Sequence, residues 1–272
     1  MQIWEHQLSD RAQPYLRDHR LDGRAILSAT VYLGMADALC QRLGHGRDHA
    51  IAKMAFLRPC VVPENQALRV ALAFDPGESR FTIRIAPAEP RGSVERRHAF
   101  GTVVSLGTPP EPEAPGLAAI RARLRETVSA EAVYSTFSGF GLEYANAYRG
   151  IQLVLRRDYE ALGEIEITDE PSGDLPFHPG LLDSCLQVIL CAIPTASYEK
   201  GTTPVFVPVR VERFRRLRAP SLRLFSHARL RKLSAGGLVA DVDVFEPSGA
   251  RVFEVGGLRC VPLRPRAASN LV

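Results

Sequence analysis

The stretch His178-Pro179-Gly180-Leu181-Leu182-Asp183-Ser184-Cys185-Leu186-Gln187, carried on by Val188-Ile189-Leu190-Cys191-Ala192-Ile193, reads as a helix with almost no polar face. Pro179 suits the first turn, where a missing N–H costs nothing. A helix this apolar has to be covered on all sides, and its flanks supply the cover. Residues 150–155 and 162–167 before it, and 205–217, 221–231, 237–245 and 251–261 after it, read as strands. Two short helices are predicted earlier, at 117–125 and 130–137.

The first half follows the same plan. Residues 28–43 place Val31, Met35, Ala38 and Leu39 at helical spacing, with Ser28 or Thr30 to cap the start and Gly44 to stop it. Strand-like runs follow at 55–62, 68–74, 80–85 and 97–106, separated by turn residues such as Asp75-Pro76-Gly77. Thr108-Pro109-Pro110-Glu111-Pro112-Glu113-Ala114-Pro115-Gly116 can be neither helix nor central strand, because proline removes donors and fixes φ. It reads as a linker. The expected organisation is an N-terminal unit at 1–106, a Pro-rich linker at 107–116 and a C-terminal unit at 117–272. The fold class is α+β: two apolar helices, each wrapped by an antiparallel sheet.

Composition narrows the function without naming it. The 272 residues are 46% hydrophobic and 24% charged, ordinary for a globular protein with a real core. A net charge of +4 is too weak to indicate nucleic acid but suits an acidic protein partner. All but three of the 34 Lys and Arg residues are Arg, which reads as base composition of the gene rather than a binding surface. The five Cys form no C-x-x-C pair, so neither a disulfide framework nor a zinc site is expected, and a reducing compartment fits. His6, His45, His49, His98 and His227 lack metal-ligand spacing, and no phosphate-binding loop is visible. No apolar leader opens the chain and no run is long enough to span a bilayer, so the expectation is cytoplasmic, with no membrane and no nucleic acid partner.

Two residues carry the chemistry. His19 lies in Tyr15-Leu16-Arg17-Asp18-His19-Arg20-Leu21-Asp22-Gly23 and Asp183 in the apolar helix. Alone, His19 among so many charged neighbours reads as a surface residue. Asp183 alone reads as an acid favouring a helix N-terminus. Together with their motifs they read otherwise. His19-x3-Gly23-x4-Ser28, the run Gly141-Leu142-Glu143-Tyr144-Ala145-Asn146-Ala147-Tyr148, the apolar helix with Asp183 and Gln187, and Val207-Pro208-Val209-Arg210-Val211-Glu212 occur in that order. In this the chain resembles the dehydratase domains of modular polyketide synthases, which have a double hot-dog fold. Their motifs are H-x3-G-x4-P, Tyr-Gly-Pro-x-Phe and His-Pro-x-x-Leu-Asp-x3-Gln/His.

The resemblance implies elimination of water from a 3-hydroxyacyl chain on acyl carrier protein. His19 is then the base at the α-carbon and Asp183 the acid for the β-hydroxyl. Gln187, one helical turn after Asp183, orients the carboxyl or bonds the departing hydroxyl. The Gly23 N–H and the helix start beyond it polarise the thioester carbonyl. Tyr144 lies near the carboxyl. Leu27 and His178 complete the supporting, substrate-binding positions, with His178 shaping the helix entry. Burial among Leu181, Leu182, Leu186 and Ile189 would raise the Asp183 pKa and keep the acid protonated. Imidazole is the side chain whose charge changes near neutral pH, as a base needs. No metal or redox cofactor is implied, because the substrate rides on the phosphopantetheine arm of the carrier. The implied partners are acyl carrier protein, neighbouring polyketide synthase domains and a second copy in a homodimer.

The chain departs from the family at Ser28, which replaces the motif proline, and at Ala145-Asn146, which replace Gly-Pro. Relatives that shift double bonds, or close pyran or furan rings by oxa-Michael addition, have altered motifs at these places. They form the alternative reading. A silent docking domain is a further alternative, against which the retention of both His19 and Asp183 counts.

Overall fold

Runs of alternating or continuous apolar residues pair edge to edge into one long antiparallel sheet. The computed structural model describes residues 1–45, 48–90, 93–106, 116–169, 175–198 and 205–263. In chain order the elements are β1 (Gln2–Ser9), a short 3-10 turn (Pro14–Arg17), β2 (His19–Leu21), β3 (Arg24–Ala25), α1 (Ala29–Arg42), β4 (His49–Phe56), β5 (Ala67–Asp75), β6 (Arg80–Pro87) and β7 (Arg96–Ser105). They continue as α2 (Leu117–Arg123), β8 (Glu126–Ser129), α3 (Ala130–Gly139), β9 (Leu142–Tyr144), a second 3-10 turn (Asn146–Tyr148), β10 (Ile151–Arg157) and β11 (Glu160–Glu166). The last are α4 (Pro179–Cys191), α5 (Thr195–Tyr198), β12 (Phe206–Arg216), β13 (Arg223–Ser234), β14 (Gly237–Phe245) and β15 (Arg251–Pro262).

Among the described residues the large sheet has twelve strands in the order β1-β5-β6-β7-β4-β12-β15-β14-β13-β11-β10-β8. The junction between first-half and second-half strands is the antiparallel pair β4–β12, with Val211 opposite Met54 and Phe214 opposite Ile51. The helices α1 and α4 pack on each other and on this sheet, and one apolar cluster runs through both halves. Val31, Leu33, Ala36, Leu182, Cys185 and Val188 are fully buried. This is the double hot-dog arrangement expected of the sequence. A buried ion group fastens α1 to the junction. Asp37 of α1 accepts from Arg216 Nε of β12 at 2.6 Å and from His49 Nε2 of β4 at 3.1 Å.

Most expected elements lie within a residue or two of their places, but one strand is displaced, and β1 and the short strands β2, β3, β8 and β9 were not expected. The strand expected at 55–62 is instead β4, His49–Phe56. Pro59 cannot extend a ladder, and the true strand hides its period at a bulge between Ala52 and Ala55, where Lys53 has φ 50°. The edge strand β1 was not expected, because Glu5, His6 and Gln7 leave it largely exposed and without a clear apolar face. The linker expected at 107–116 lies outside the described residues but for Gly116, which precedes α2 as its N-cap.

The outer face of the second half holds a charged cluster. Glu160 of β11 accepts from Arg123 of α2, from Arg157 Nε at 2.7 Å and from His227 Nε2 at 2.7 Å. Burial alone would raise its pKa, but the bonds from Arg123 and His227 outweigh it and hold the carboxyl at about 2, below the ordinary 4.5. A depressed acid stabilises above its unfolded value, and that contribution is lost as pH falls through the folded one. The thermal midpoint should therefore decline between pH 4.5 and about 2. The Glu160→Gln variant should start lower and decline less across that window in differential scanning calorimetry.

Candidate active site

The site forms where a small second sheet meets the two core helices. This sheet, in the order β3-β2-β9, places His19 directly opposite Tyr144. Its hairpin turns at Asp22 (φ 49°) and Gly23 (φ 74°), the left-handed pair a two-residue turn demands. Gly141 is fixed for a like reason. Its φ is 75°, its carbonyl accepts from the Asp22 N–H at 2.8 Å, and a β-carbon there would lie 2.2 Å from Asp22 Oδ1. Gly141→Ala should cost about 1–2 kcal/mol of stability in a denaturant melt, the penalty of left-handed backbone for an L-residue. Turnover should drop with it, since this register holds His19 in place. The segment before His19 is tied down too. Ala145 N–H donates to the Asp18 carbonyl at 3.0 Å, and Asn146 Nδ2 donates to Asp18 Oδ1 at 3.1 Å. Asn146 itself has φ 45°, so the residue that departs from the family motif has a local structural use.

His19 Nδ1 lies 2.9 Å from the Ile26 carbonyl. A carbonyl can only accept, so Nδ1 carries a hydrogen, and in the uncharged form of the ring the lone pair falls on Nε2. The imidazole packs against Tyr144 and Tyr148, each with ring centroids 5.5 Å away. Asp183 comes from α4, which approaches so closely that a β-carbon on Gly180 would lie 2.7 Å from the Ala147 backbone. His178 caps this helix: its Nδ1 accepts from the Gly180 N–H at 3.0 Å. Burial lowers the His178 pKa, which keeps that nitrogen an acceptor.

The Asp183 side chain is buried, and its Oδ2 accepts from Gln187 Nε2 at 2.9 Å. The same Nε2 also donates to the Tyr148 carbonyl at 2.9 Å, while Gln187 Oε1 is buried with no partner. Desolvation raises the Asp183 pKa, against the opposing pull of the His19 charge and of hydrogen bonds from Gln187 and Thr30. Tyr144 and Tyr148 are pushed well above the ordinary phenol value, first by burial and then by the Asp183 charge. The arrangement therefore offers a base with its lone pair free, a carboxylic acid biased toward its protonated form, and neutral phenols between them. It can take one proton and give another within a single site.

Of the residues singled out in the sequence, His19 packs on Tyr144 and Gln187 bonds Asp183. Leu27 is buried between β3 and α1, with its N–H on the Cys60 carbonyl at 2.9 Å. Gly23 does not fit the role expected of it. It is exposed at the hairpin tip, its N–H is bonded to Glu143 Oε1 at 3.1 Å, and α1 begins only at Ala29. Its glycine is required by the turn, not by an approaching carbonyl. Sequence reasoning missed Tyr148 and Thr30 as site residues. Tyr148 falls four residues after Tyr144, but the turn that brings both rings onto His19 is not a regular element. Elsewhere, a groove of about 390 Å³ between β1, β5 and α1 is lined by Trp4, Met35, Leu39 and Leu72, away from His19 and Asp183. Among the described residues, no group of His, Cys, Asp and Glu is arranged to hold a metal, and no helix is long and apolar enough to cross a membrane.

Comparison with known proteins agrees with this geometry. A family model described as "Polyketide synthase dehydratase N-terminal domain" matches residues 112–270, and one described as "Polyketide synthase dehydratase domain" matches residues 1–87. Polyketide synthase GfsE of Streptomyces halstedii is 31% identical over 196 residues, which is 68% of this chain but only 5% of that protein's length. Among solved structures, the dehydratase domain from the CurF module of curacin polyketide synthase superposes with a TM-score of 0.82 at 21% identity, covering 96% of this chain and 93% of that one. Two inactive mutants of the CurK dehydratase, one His-to-Phe and one Asp-to-Asn, superpose with TM-scores of 0.84 and 0.82, each at 20% identity and covering 97% of this chain and 94% of theirs. With matches to both halves of the chain, and the double hot-dog fold shared throughout, this chain belongs to the dehydratase domain family of modular polyketide synthases.

Proposed function

We propose that the chain eliminates water from a 3-hydroxyacyl chain held as a thioester on acyl carrier protein, giving the 2-enoyl thioester. The observation that carries this is the buried Asp183 carboxyl, biased toward its protonated form, across from a His19 whose Nδ1 is anchored and whose Nε2 is free. His19 Nε2 takes the α-proton, and the C–H electrons become the new double bond. The bond to the β-oxygen breaks as Asp183 gives that oxygen its proton, and water leaves. The imidazolium then loses its proton and the carboxylate regains one, so the pair returns to its starting state. Two protons move and no electrons are gained or lost, so the step itself calls for neither metal nor redox group. Gln187, with an unpartnered buried Oε1, is suited to accept from the β-hydroxyl while its Nε2 orients the carboxyl. That Asp-to-Asn and His-to-Phe mutants of the CurK dehydratase are inactive supports the assignment. The proposed partners are an acyl carrier protein, suited by the net charge of +4, neighbouring synthase domains, and a second copy of the chain.

The test is to incubate the protein with a 3-hydroxyacyl thioester on carrier protein and follow the acyl mass, with His19→Ala and Asp183→Asn alongside. Loss of one water, abolished in both variants, is the expected result. If the mass stays unchanged, the enoyl form is offered in deuterated water. Deuterium uptake without addition of water, or a ring product, would then replace dehydration with isomerisation or cyclisation, and silence throughout would leave a docking role.

A further inference from the structure

Two departures from the family's motifs meet in space. Ser28 stands where H-x3-G-x4-P ends in proline, and Tyr148 stands where Tyr-Gly-Pro-x-Phe ends in phenylalanine. The two are 120 residues apart in the chain, yet Ser28 Oγ lies 3.0 Å from the Tyr148 hydroxyl. Proline and phenylalanine carry no hydroxyl, so the motif residues cannot make this bond. Capping does not account for the serine. Ser28 holds the N-cap position of α1 with φ −69° and ψ 155°, but its side chain makes no capping bond. A serine at that place ordinarily accepts from an N–H of the first turn. Here the hydroxyl joins Thr30 Oγ1 at 2.7 Å and Tyr148, and all three residues are buried.

Tyr148 reaches toward both the proposed base and the proposed acid. Its ring packs on the His19 imidazole, with centroids 5.5 Å apart and planes 58° apart. Its carbonyl accepts from Gln187 Nε2 at 2.9 Å, and the same nitrogen donates to Asp183 Oδ2 at 2.9 Å. It does so from the three-residue 3-10 turn Asn146–Tyr148, whose own hydrogen bonding is poorer than that of an α-helix. The bond to Ser28 ties the far end of the tyrosine side chain to the start of α1.

We propose that Ser28 and Tyr148 are coupled positioning residues: the bond between their hydroxyls fixes the Tyr148 ring against His19 and the Tyr148 carbonyl on Gln187, so that one anchor sets base and acid together. This rests on His19 and Asp183 being the groups that move the protons. The hydroxyl bond itself transfers nothing.

A buried bond between two hydroxyls shows itself in how substitutions combine. Removing one partner strands the other away from water, whereas replacing both with apolar groups of suitable shape is nearly neutral. Ser28→Pro, whose ring fits the observed φ, leaves the Tyr148 phenol without this bond. Tyr148→Phe leaves Ser28 still joined to Thr30. The double variant restores the motif residues at both positions. Thr30 loses the same bond in Ser28→Pro and in the double variant, so that loss cancels between them. Ser28→Ala takes the place of Ser28→Pro, with the same expectations, should the proline variant not fold.

Two readouts are taken on the full chain. One is turnover of a 3-hydroxyacyl thioester on carrier protein, at a temperature where melts show every variant folded. The other is the NMR signals of the His19 ring protons and the Gln187 side-chain amide, assigned by their absence from His19→Phe and Gln187→Ala, which needs no activity. Ser28→Pro should lower kcat about tenfold with KM little changed, and Tyr148→Phe about threefold. Adding Tyr148→Phe to Ser28→Pro should raise kcat again, to within about threefold of the unaltered protein. Both sets of signals should move in Ser28→Pro and return toward their original positions in the double variant. A double variant no faster than Ser28→Pro, or signals that Ser28→Pro leaves in place, would overturn the inference even with dehydration confirmed. If the unaltered protein turns over no 3-hydroxyacyl thioester, the dehydration reading falls, while the signals still decide whether Ser28 and Tyr148 position His19 and Gln187.

Discussion

Asp183→Asn should stop water loss and at the same time make the protein harder to unfold. The first effect follows from removing the acid: Asn cannot protonate the leaving hydroxyl, and a positioned general acid contributes about 10²–10⁴-fold. The second follows from what the site costs the fold. Burial raises the Asp183 pKa, so its carboxylate is less comfortable in the folded protein than in the unfolded chain. An acid raised in this way favours folding at pH values below its unfolded value of 3.8, and that advantage disappears as pH rises through the folded value. Asn has nearly the same shape, keeps an oxygen to accept from Gln187 Nε2, and carries no charge to desolvate. The thermal midpoint of Asp183→Asn should therefore match the parent near pH 3.8, exceed it increasingly as pH rises and level off above the folded value, by about 2–4 °C for each kcal/mol relieved. Calorimetry across that range measures it. A variant that is no more stable than its parent at any pH would mean the carboxyl is not under the desolvation described.

His19→Phe should lose about 10²–10⁴-fold in kcat without the gain in stability. Phe fills the same space between Tyr144 and Tyr148 and keeps the aromatic edge contacts. It removes the Nδ1 donor that bonds the Ile26 carbonyl, which should cost about 1 kcal/mol. With the imidazole gone, the site loses the nitrogen proposed to take the α-proton. The enoyl thioester incubated with this variant in deuterated water should take up no deuterium at the α-position, where the unaltered protein, running in reverse, places it. Because the two variants move stability in opposite directions while both silence turnover, the pair separates loss of chemistry from loss of structure.

The core helices were legible in the sequence because each announces itself twice. Residues 179–193 are apolar but for Asp183, Ser184 and Gln187, and Asp183 and Gln187 stand four apart, which on a helix means one face. The observed 2.9 Å contact between them is that spacing made real. The strand order was not legible. Nothing local tells β4 to lie between β7 and β12, since register across a junction is decided by long-range packing. Lys53, at positive φ within a bulge, even shifted the apparent start of β4. Gly23 illustrates a subtler limit. A glycine near a histidine suggests close approach of a ligand, but the same residue satisfies the plain demand of a two-residue hairpin. Only the bond to Glu143, 120 residues away, distinguishes these. Ser28 was visible as an oddity, while its use was not, because its partner Tyr148 is likewise 120 residues distant.

In the large sheet the β4–β12 pair is the seam where strands of the first half meet strands of the second, and the first half brings His19 to the site while the second brings Asp183. Catalysis can thus serve as a gauge of assembly. If the gene were cut between Ser105 and Leu117, neither fragment alone would hold both members of the pair. Turnover on mixing would appear only as fast, and only as completely, as the fragments re-joined along that seam. The enzyme's own product would count the mated molecules, without label or fusion tag.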